Sequence, residues 1–224
     1  VAAGGAGGGV ESVPSSTGHW PGGPVRPLLE PQLPVVWACL EAVGSDALGV
    51  PDYEAEDVIA ALVARVESPI EIYSGDRDLF SLIRDREVIV LYPEKTGLAE
   101  VDEAEVARRY SIPGGGYADF AILRGDPSDG LPGVAGVGAK KAADLVRRYG
   151  SVSAMLEAGI FRDADAEYLR KASRIVQPVT DLKIEVPRGR RDRYPDDPAP
   201  VEELGKRYGI TSSFERLVKA LALM

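Results

Sequence analysis

Gly125-Asp126-Pro127-Ser128-Asp129-Gly130-Leu131-Pro132-Gly133-Val134-Ala135-Gly136-Val137-Gly138-Ala139-Lys140-Lys141-Ala142 places two kinds of chemistry side by side. Asp126 and Asp129 stand three residues apart around Pro127 and Ser128. A carboxylate pair suits a divalent cation, because hard cations such as Mg²⁺ take oxygen ligands and keep several waters. A glycine turn running into a helix suits a phosphate: glycine lets the backbone approach closely, and the first N–H groups of the helix point at the anion. Together they suggest metal-dependent work on nucleic acid, with the rest of the metal site supplied from elsewhere in the chain.

Two look-alikes fail. A nucleotide phosphate loop needs Gly-Lys-Ser/Thr, and Gly138 is followed by Ala139. A dinucleotide fingerprint needs a glycine where Lys141 stands, and a strand before the turn. What remains is helix, glycine turn, helix. Val134 and Val137 are expected to anchor the turn in the core. Gly136, Val137, Gly138, Ala139, Lys140 and Lys141 are expected to hold a phosphate backbone, with Arg147 and Arg148 extending the patch. The ordinary alternative is a tight turn before a solvated basic helix. Asp126 to Gly130 could likewise be a plain turn, and it lacks the later ligands of an EF-hand loop.

Upstream the pattern changes. Val35 to Val43 predicts a short apolar helix stopped by Gly44. A second helix is expected from about Asp52, its N-cap, with Val58, Ile59, Leu62, Val63 and Val66 on one face. Pro69–Tyr73 reads as a strand, Leu79–Ile83 as a short helix, and Val88–Leu91 as a strand covered on both faces. Alternating helix and strand implies a mostly parallel sheet. Downstream, helices are expected over 117–123, 140–149 (closing at Gly150), 152–156, 164–176, 202–208 and 213–223, the last capped by Ser212 or Ser213. Residues 179–186 read as extended and 188–200 as a charged loop. Residues 1–33, rich in Gly, Pro and Ser, read as a disordered lead that cannot bury enough surface to offset its ordering entropy.

The totals narrow the classes. The chain has 224 residues and a net charge of -9, which argues against a protein that coats DNA nonspecifically through many cationic contacts. One cysteine excludes an internal disulfide framework and fits a reducing compartment. No apolar run nears the roughly 20 residues of a membrane helix, and the start does not read as a signal peptide. The cytoplasm is the expected compartment, with no membrane partner.

Two more acidic clusters join Asp126 and Asp129: Glu54 with Glu56 and Asp57, and Asp76 with Asp78. Each has an ordinary reading. Acids favour the first turn of a helix, and Asp after a strand often caps the next helix. Yet ligands in open α/β sheets gather beyond the carboxyl ends of strands, where Asp76 and Asp78 flank Arg77. Three such clusters would repel one another without cations. Two cations about 4 Å apart can activate a water and stabilise a leaving oxygen. The one histidine, His19, lies in the lead, so no zinc site is expected.

These residues resemble the 5′ nuclease family: flap endonucleases, phage 5′ exonucleases and the 5′ nuclease domain of bacterial DNA polymerase I. Tyr53-Glu54-Ala55-Glu56-Asp57 resembles the family's Glu-Ala-Asp/Glu-Asp motif, and Gly75-Asp76-Arg77-Asp78 its Gly-Asp-x-Asp motif. Gly125 to Gly133 is similar to Gly-Asp-x-x-Asp-Asn-x-x-Gly, with Gly130 where Asn is usual, and Val134 to Gly138 resembles the helix–three-turn–helix hairpin. The resemblance implies an α/β, PIN-like fold with a mostly parallel sheet flanked by helices, followed by a helical helix–three-turn–helix DNA-binding region. Core and hairpin region would span 34–124 and 125–224. Family members open with a strand delivering an Asp, then a basic helical arch. The first Asp here is Asp46, so the core is expected to be N-terminally incomplete.

The resemblance further implies that Glu54, Glu56, Asp76, Asp78, Asp126 and Asp129, with Asp57 as a further candidate, bind two Mg²⁺ or Mn²⁺. Glu54, Glu56, Asp76 and Asp78 would be catalytic. K⁺ would sit on the hairpin carbonyls, and the partner would be DNA with a free 5′ end or flap. The expected function is a monomeric 5′–3′ exonuclease or flap endonuclease in replication or repair. Two rivals stand beside it: a catalytically impaired DNA-binding module of the same family, and an unrelated metal-dependent phosphatase, which would not need the hairpin.

Overall fold

The computed structural model describes residues 30–187 and 195–222. They fall into two compact units, one formed by residues 30–49 with 185–187 and 195–222 and the other by residues 50–184. The expected lead lies outside the described residues as far as residue 29, and so do residues 188–194 of the expected charged loop.

In the first unit, a 3-10 turn over Glu30–Gln32 runs into α1 (Leu33–Val43). Gly44 ends α1 in the left-handed region (φ 76°), as its missing Cβ allows. Val43 packs with Val201 and Phe214, which come from the last two helices, Ala199–Tyr208 and Thr211–Leu221. The final helix begins at Thr211 after Ile210, so neither Ser212 nor Ser213 is its cap.

The second unit carries the sites. Helix α2 (Ala55–Val63) buries Val58, Leu62 and Val63 on one face with Ile59 half-buried, as the spacing predicts, but it ends before Val66, which is exposed. Its N-cap is Glu54, not Asp52. Asp52 sits at φ 67° in the preceding turn, two residues too early to meet the first helical N–H groups. Strand β1 (Ile70–Tyr73) follows, then a 3-10 turn over Asp78–Leu82. Strand β2 (Val88–Glu94) lies parallel to β1, with Ile70 opposite Val88 and Tyr73 opposite Leu91. Strand β3 (Gly97–Val101) then turns back antiparallel on β2.

Among the described residues the sheet has the order β1-β2-β3 and is mixed, so the expectation of a mostly parallel sheet is corrected. Gly97-Leu98-Ala99-Glu100 carries no β-branched residue and is largely exposed, which hides a strand from pattern reading. Val88 and Val90 are buried while Ile89 and Leu91 are half-buried. The strand expected to be covered on both faces is therefore fully covered on one.

Helix α3 (Glu103–Tyr110) starts on an Asp102 cap whose carboxylate accepts the Glu105 N–H at 2.7 Å. A 3-10 turn (Gly114–Gly116) leads into α4 (Tyr117–Arg124), which is buried from Tyr117 to Leu123. Phe80, Tyr92, Tyr110, Tyr117 and Phe120 pack as tilted and edge-on rings 5.1 to 6.3 Å apart. After a 3-10 turn (Pro127–Asp129) come α5 (Ala139–Tyr149), α6 (Val152–Glu157) and α7 (Asp163–Val176). Buried Asp119 of α4 accepts the Val152 N–H at 2.8 Å and ties α6 to α4. One core runs from Val63 through the sheet and α4 to Ala172. Residues 179–186, expected to be extended, form no strand. In chain order the last two helices are α8 (Ala199–Tyr208) and α9 (Thr211–Leu221).

Candidate metal centre and nucleic-acid interface

The acidic residues come from three elements that end near one another. Glu56 lies in the first turn of α2. Asp76 and Asp78 follow the carboxyl end of β1, where a parallel pair leaves open space. The loop holds itself: the Asp76 N–H donates to Ser74 Oγ at 3.1 Å, and the Asp78 N–H to Asp76 Oδ1 at 3.0 Å. Asp126 and Asp129 are delivered by the turn after α4.

One oxygen each from Glu56, Asp76 and Asp78 lies within 4.8 Å of the other two. Ligands on opposite sides of a Mg²⁺ stand about 4.2 Å apart, at about 2.1 Å per bond. A slight closing of side chains would therefore seat a hard cation among these three. A cavity of about 360 Å³ is lined by Gly75, Asp76, Arg77, Asp78, Tyr117, Asp126, Ser128 and Asp129.

The carboxylates strain against one another electrostatically. Burial, then Asp76 and Asp78, push Glu56 up to about 7. Burial, then Asp129, Asp76 and Asp126, push Asp78 up to about 6, with Arg77 opposing. Asp129 is raised by burial and by Asp126 and Asp76. Asp126 is the exception. Burial raises it, but the Ser128 hydroxyl and N–H, with Arg124, outweigh that and hold it below the usual range. Ser128 Oγ donates to Asp126 Oδ1 at 2.5 Å, and Arg124 Nη2 to Oδ2 at 2.8 Å. A cluster in which like charges lift each other's pKa is one that a divalent cation stabilises.

The structure thus brings Glu56, Asp76 and Asp78 to one point and lines one cavity with Asp76, Asp78, Asp126 and Asp129. Glu54 is exposed and acts on Glu56 only through its charge. Asp57 is differently employed. Its Oδ2 accepts the Glu54 N–H at 3.2 Å and its Oδ1 the Val179 N–H at 2.8 Å, so both oxygens serve the backbone. From the sequence Tyr117 reads as an ordinary core residue of α4. It is fully buried, it lines the acidic cavity, and its hydroxyl has no hydrogen-bond partner among the described residues.

The hairpin is built from backbone. The Val134 N–H bonds Leu123 O at 3.0 Å and the Val137 N–H bonds Val134 O at 2.9 Å, while both valines enter the core. Gly133 sits at φ 74°, and a Cβ there would lie 2.6 Å from Arg124 O. Only glycine fits that crossing of chains. The Tyr168 hydroxyl accepts the Gly133 N–H at 3.1 Å and donates to Ile122 O at 2.9 Å, pinning the turn to α4. Gly138 is the N-cap of α5 and offers no side-chain cap. The N–H groups of Ala139, Lys140 and Lys141 are therefore left for an outside acceptor. Gly136, Gly138, Lys140 and Lys141 are exposed, with open space beside both glycines. Arg147 and Arg148 extend the patch less than the sequence suggests. Arg147 binds Ser111 O and Asp144, and Arg148 lies over the Tyr149 ring at 5.3 Å.

Comparison with known proteins agrees along most of the chain. A family model described as "5'-3' exonuclease, N-terminal resolvase-like domain" matches residues 24–111, and one described as "5'-3' exonuclease, C-terminal SAM fold" matches residues 112–187. A "5'-3' exonuclease" of Streptomyces coelicolor is 39% identical over 243 residues, covering 95% of this chain and 78% of the relative. One from Mycobacterium tuberculosis is 40% identical over 218 residues, covering 86% and 68%. Among solved structures, the T5 5′-exonuclease with divalent metal ions (zinc) bound superposes with a TM-score of 0.52 at 17% identity, over 80% of this chain and 63% of that one, a likeness of fold. Resolvase-like core and SAM-like helical region agree with the α/β fold and the following helical region expected from sequence.

Proposed function

This chain belongs to the 5′–3′ exonuclease family, and from that premise we propose that it hydrolyses phosphodiesters of DNA bearing a free 5′ end or flap, using two Mg²⁺ or Mn²⁺ in the acidic cavity. The observation that carries this reading is the meeting of Glu56, Asp76 and Asp78 oxygens within 4.8 Å of one another. Glu56, Asp76 and Asp78 hold one cation, and Asp126 and Asp129 complete the set for a second. When bound, the cations supply Lewis-acid stabilisation of phosphate oxygens and activation of a water. Asp126, held ionised by Ser128 and Arg124, keeps a fixed acceptor in the wall. Glu54 adds negative charge behind Glu56.

The hairpin grips the duplex. The free N–H groups of Ala139, Lys140 and Lys141, with the two lysine charges, bind backbone phosphate without reading sequence. Gly136, Val137 and Gly138 bring that backbone close, and K⁺ on the turn's carbonyls would strengthen the grip. The chain works as a monomer in replication or repair. Among the described residues no helix is long and apolar enough to cross a membrane.

The test is incubation with a labelled 5′-flap duplex and Mg²⁺, against an Asp76→Ala, Asp78→Ala control. Products released from the 5′ end by the parent chain alone are expected. Binding without cleavage would leave a DNA-binding module in place of the enzyme. Turnover of small phosphate monoesters with no preference for 5′ ends would favour a phosphatase.

A further inference from the structure

The acidic cavity has a second wall that the carboxylates do not explain. Arg77 is the one cation in its lining, and it is exposed. Among the described residues it makes no hydrogen bond, and no ion pair within 4.0 Å, although Asp76 and Asp78 flank it. A free guanidinium beside so many carboxylates is unusual, because the pairing is close at hand. Tyr117 lines the same cavity. Arg77 and Tyr117 act on each other electrostatically, and the Tyr117 hydroxyl is the one buried side-chain polar atom without a partner among the described residues. Leaving such a hydroxyl unpaired is destabilising, because its desolvation is not offset.

Both observations point to an absent acceptor. Cations at the carboxylates would use acceptor oxygens only and leave the Arg77 donors free. A group that answers both walls carries several anionic oxygens, some for metal and some for a guanidinium. A phosphate does this, and the planar fork of arginine matches it.

Resting on the reading of this cavity as a metal-dependent phosphodiester site, we propose that Arg77 binds non-bridging oxygens of a phosphate group facing the carboxylates, and that Tyr117 is the residue that positions Arg77. With phosphate present, the guanidinium donates one N–H to the Tyr117 hydroxyl oxygen and turns its remaining donors to the phosphate. The orphaned hydroxyl then gains its partner only in the occupied state. The phosphate is either the diester being cut or the terminal phosphate of the 5′ end.

The test uses the full chain. Affinity for a 5′-overhang duplex is measured with Ca²⁺, to follow binding without turnover, and cleavage with Mg²⁺. Duplexes with a 5′-phosphate and with a 5′-hydroxyl are compared. Arg77→Gln is expected to weaken binding by about tenfold to a hundredfold, the scale of a hydrogen bond to a charged group. An equal loss on both duplexes places Arg77 on the diester; a loss confined to the 5′-phosphate duplex places it on the terminal phosphate. Tyr117→Phe is expected to weaken binding by about threefold to tenfold, to leave Tm unchanged or higher, and to add nothing in the Arg77→Gln background. Unchanged binding in Arg77→Gln, with a parent that binds and cuts, overturns the proposal. Additive losses in the double variant overturn the positioning role. A parent that neither binds nor cuts 5′-ended DNA fails the underlying reading, and the proposal with it.

Discussion

The acidic cavity and the glycine hairpin lie in one compact unit and are built on opposite principles. The hairpin is internally braced. Gly133, Val134, Val137 and Tyr168 fix its backbone before any ligand arrives, and the N–H groups that open α5 face outward. The cavity is internally unsatisfied. Glu56 and Asp78 sit well above their ordinary pKa, and Arg77 and the Tyr117 hydroxyl lack hydrogen-bond partners among the described residues. A surface that only holds a polymer can be finished in the fold. A surface that must hold cations and a reacting phosphate is left incomplete, at a cost in stability that occupancy recovers.

The strongest way to break this contrast is to remove the cavity's charge and leave the hairpin intact. Asp76→Asn with Asp78→Asn is expected to lower cleavage by at least about 10³-fold, the scale on which losing a preorganised electrostatic group registers. The same variant should keep duplex binding within a few-fold in metal-free buffer, and its metal-free Tm should rise, because repulsion with Glu56 and Asp129 is relieved. Cleavage, a binding isotherm and a melt on one preparation check all three. A parallel loss of binding would mean that the two regions are not separable.

The reverse operation strikes the hairpin. Gly133→Ala puts a Cβ 2.6 Å from Arg124 O at φ 74°. It should cost about 2–4 kcal/mol, which for a chain of this size is a Tm drop of roughly 4–16 °C. Gly136→Ala has open space but φ 73°, so it should cost about 1–2 kcal/mol. Gly138→Ala has open space and no positive φ, so its stability should barely change. Its duplex affinity should fall, because the added methyl stands where a phosphate approaches the free N–H groups. Thermal melts of the three variants rank the first effect, and a binding isotherm separates the third.

The cavity's strain also predicts a pH dependence. Glu56, near 7, and Asp78, near 6, exceed their unfolded values of 4.5 and 3.8. Between the unfolded and folded values the native chain binds more protons than the unfolded one. Metal-free stability therefore falls as pH rises from about 4 to about 7, and these two groups cost nothing further above that. Cations compete with those protons, so Mn²⁺ affinity should climb through the same window and level off above pH 7. Melts across pH with and without Mn²⁺ should diverge as pH rises. Parallel curves would mean that Glu56 and Asp78 do not take the metal.

Legibility in the sequence follows the same divide. The hairpin was readable because its chemistry is local: Gly133 to Lys141 carries turn, core anchors and helix start in nine consecutive residues. The cavity was half readable. Asp76, Asp78, Asp126 and Asp129 announce themselves as pairs, but which oxygens meet is set by how β1, α2 and the turn after α4 converge. Tyr117 was invisible, since a buried tyrosine on an apolar helix looks like packing until its hydroxyl is seen to lack a partner. Strand β3 was missed for a related reason. Its exposed residues carry little pattern, and pairing with β2 makes it a strand. The Glu54 cap was missed because Asp52 is the better capping residue by type, and φ 67° there sends the chain the other way.

Asp57 offers the smallest effect and the finest test. By sequence it stands in the same acidic run as Glu54 and Glu56 and is a further candidate for a cation. By structure its two oxygens accept the Glu54 and Val179 N–H groups, which closes the start of α2 and fastens the segment after α7. Asp57→Asn keeps an acceptor oxygen and a similar shape but loses one of the two charge-assisted bonds. It should cost about 1 kcal/mol of stability, a Tm shift of roughly 2–4 °C, and change cleavage at saturating Mg²⁺ by less than about threefold. If instead cleavage falls as far as in Asp76→Asn while the melt stays in place, Asp57 has turned to the cation in the loaded state. The boundary between fastener and ligand then runs one residue further along α2.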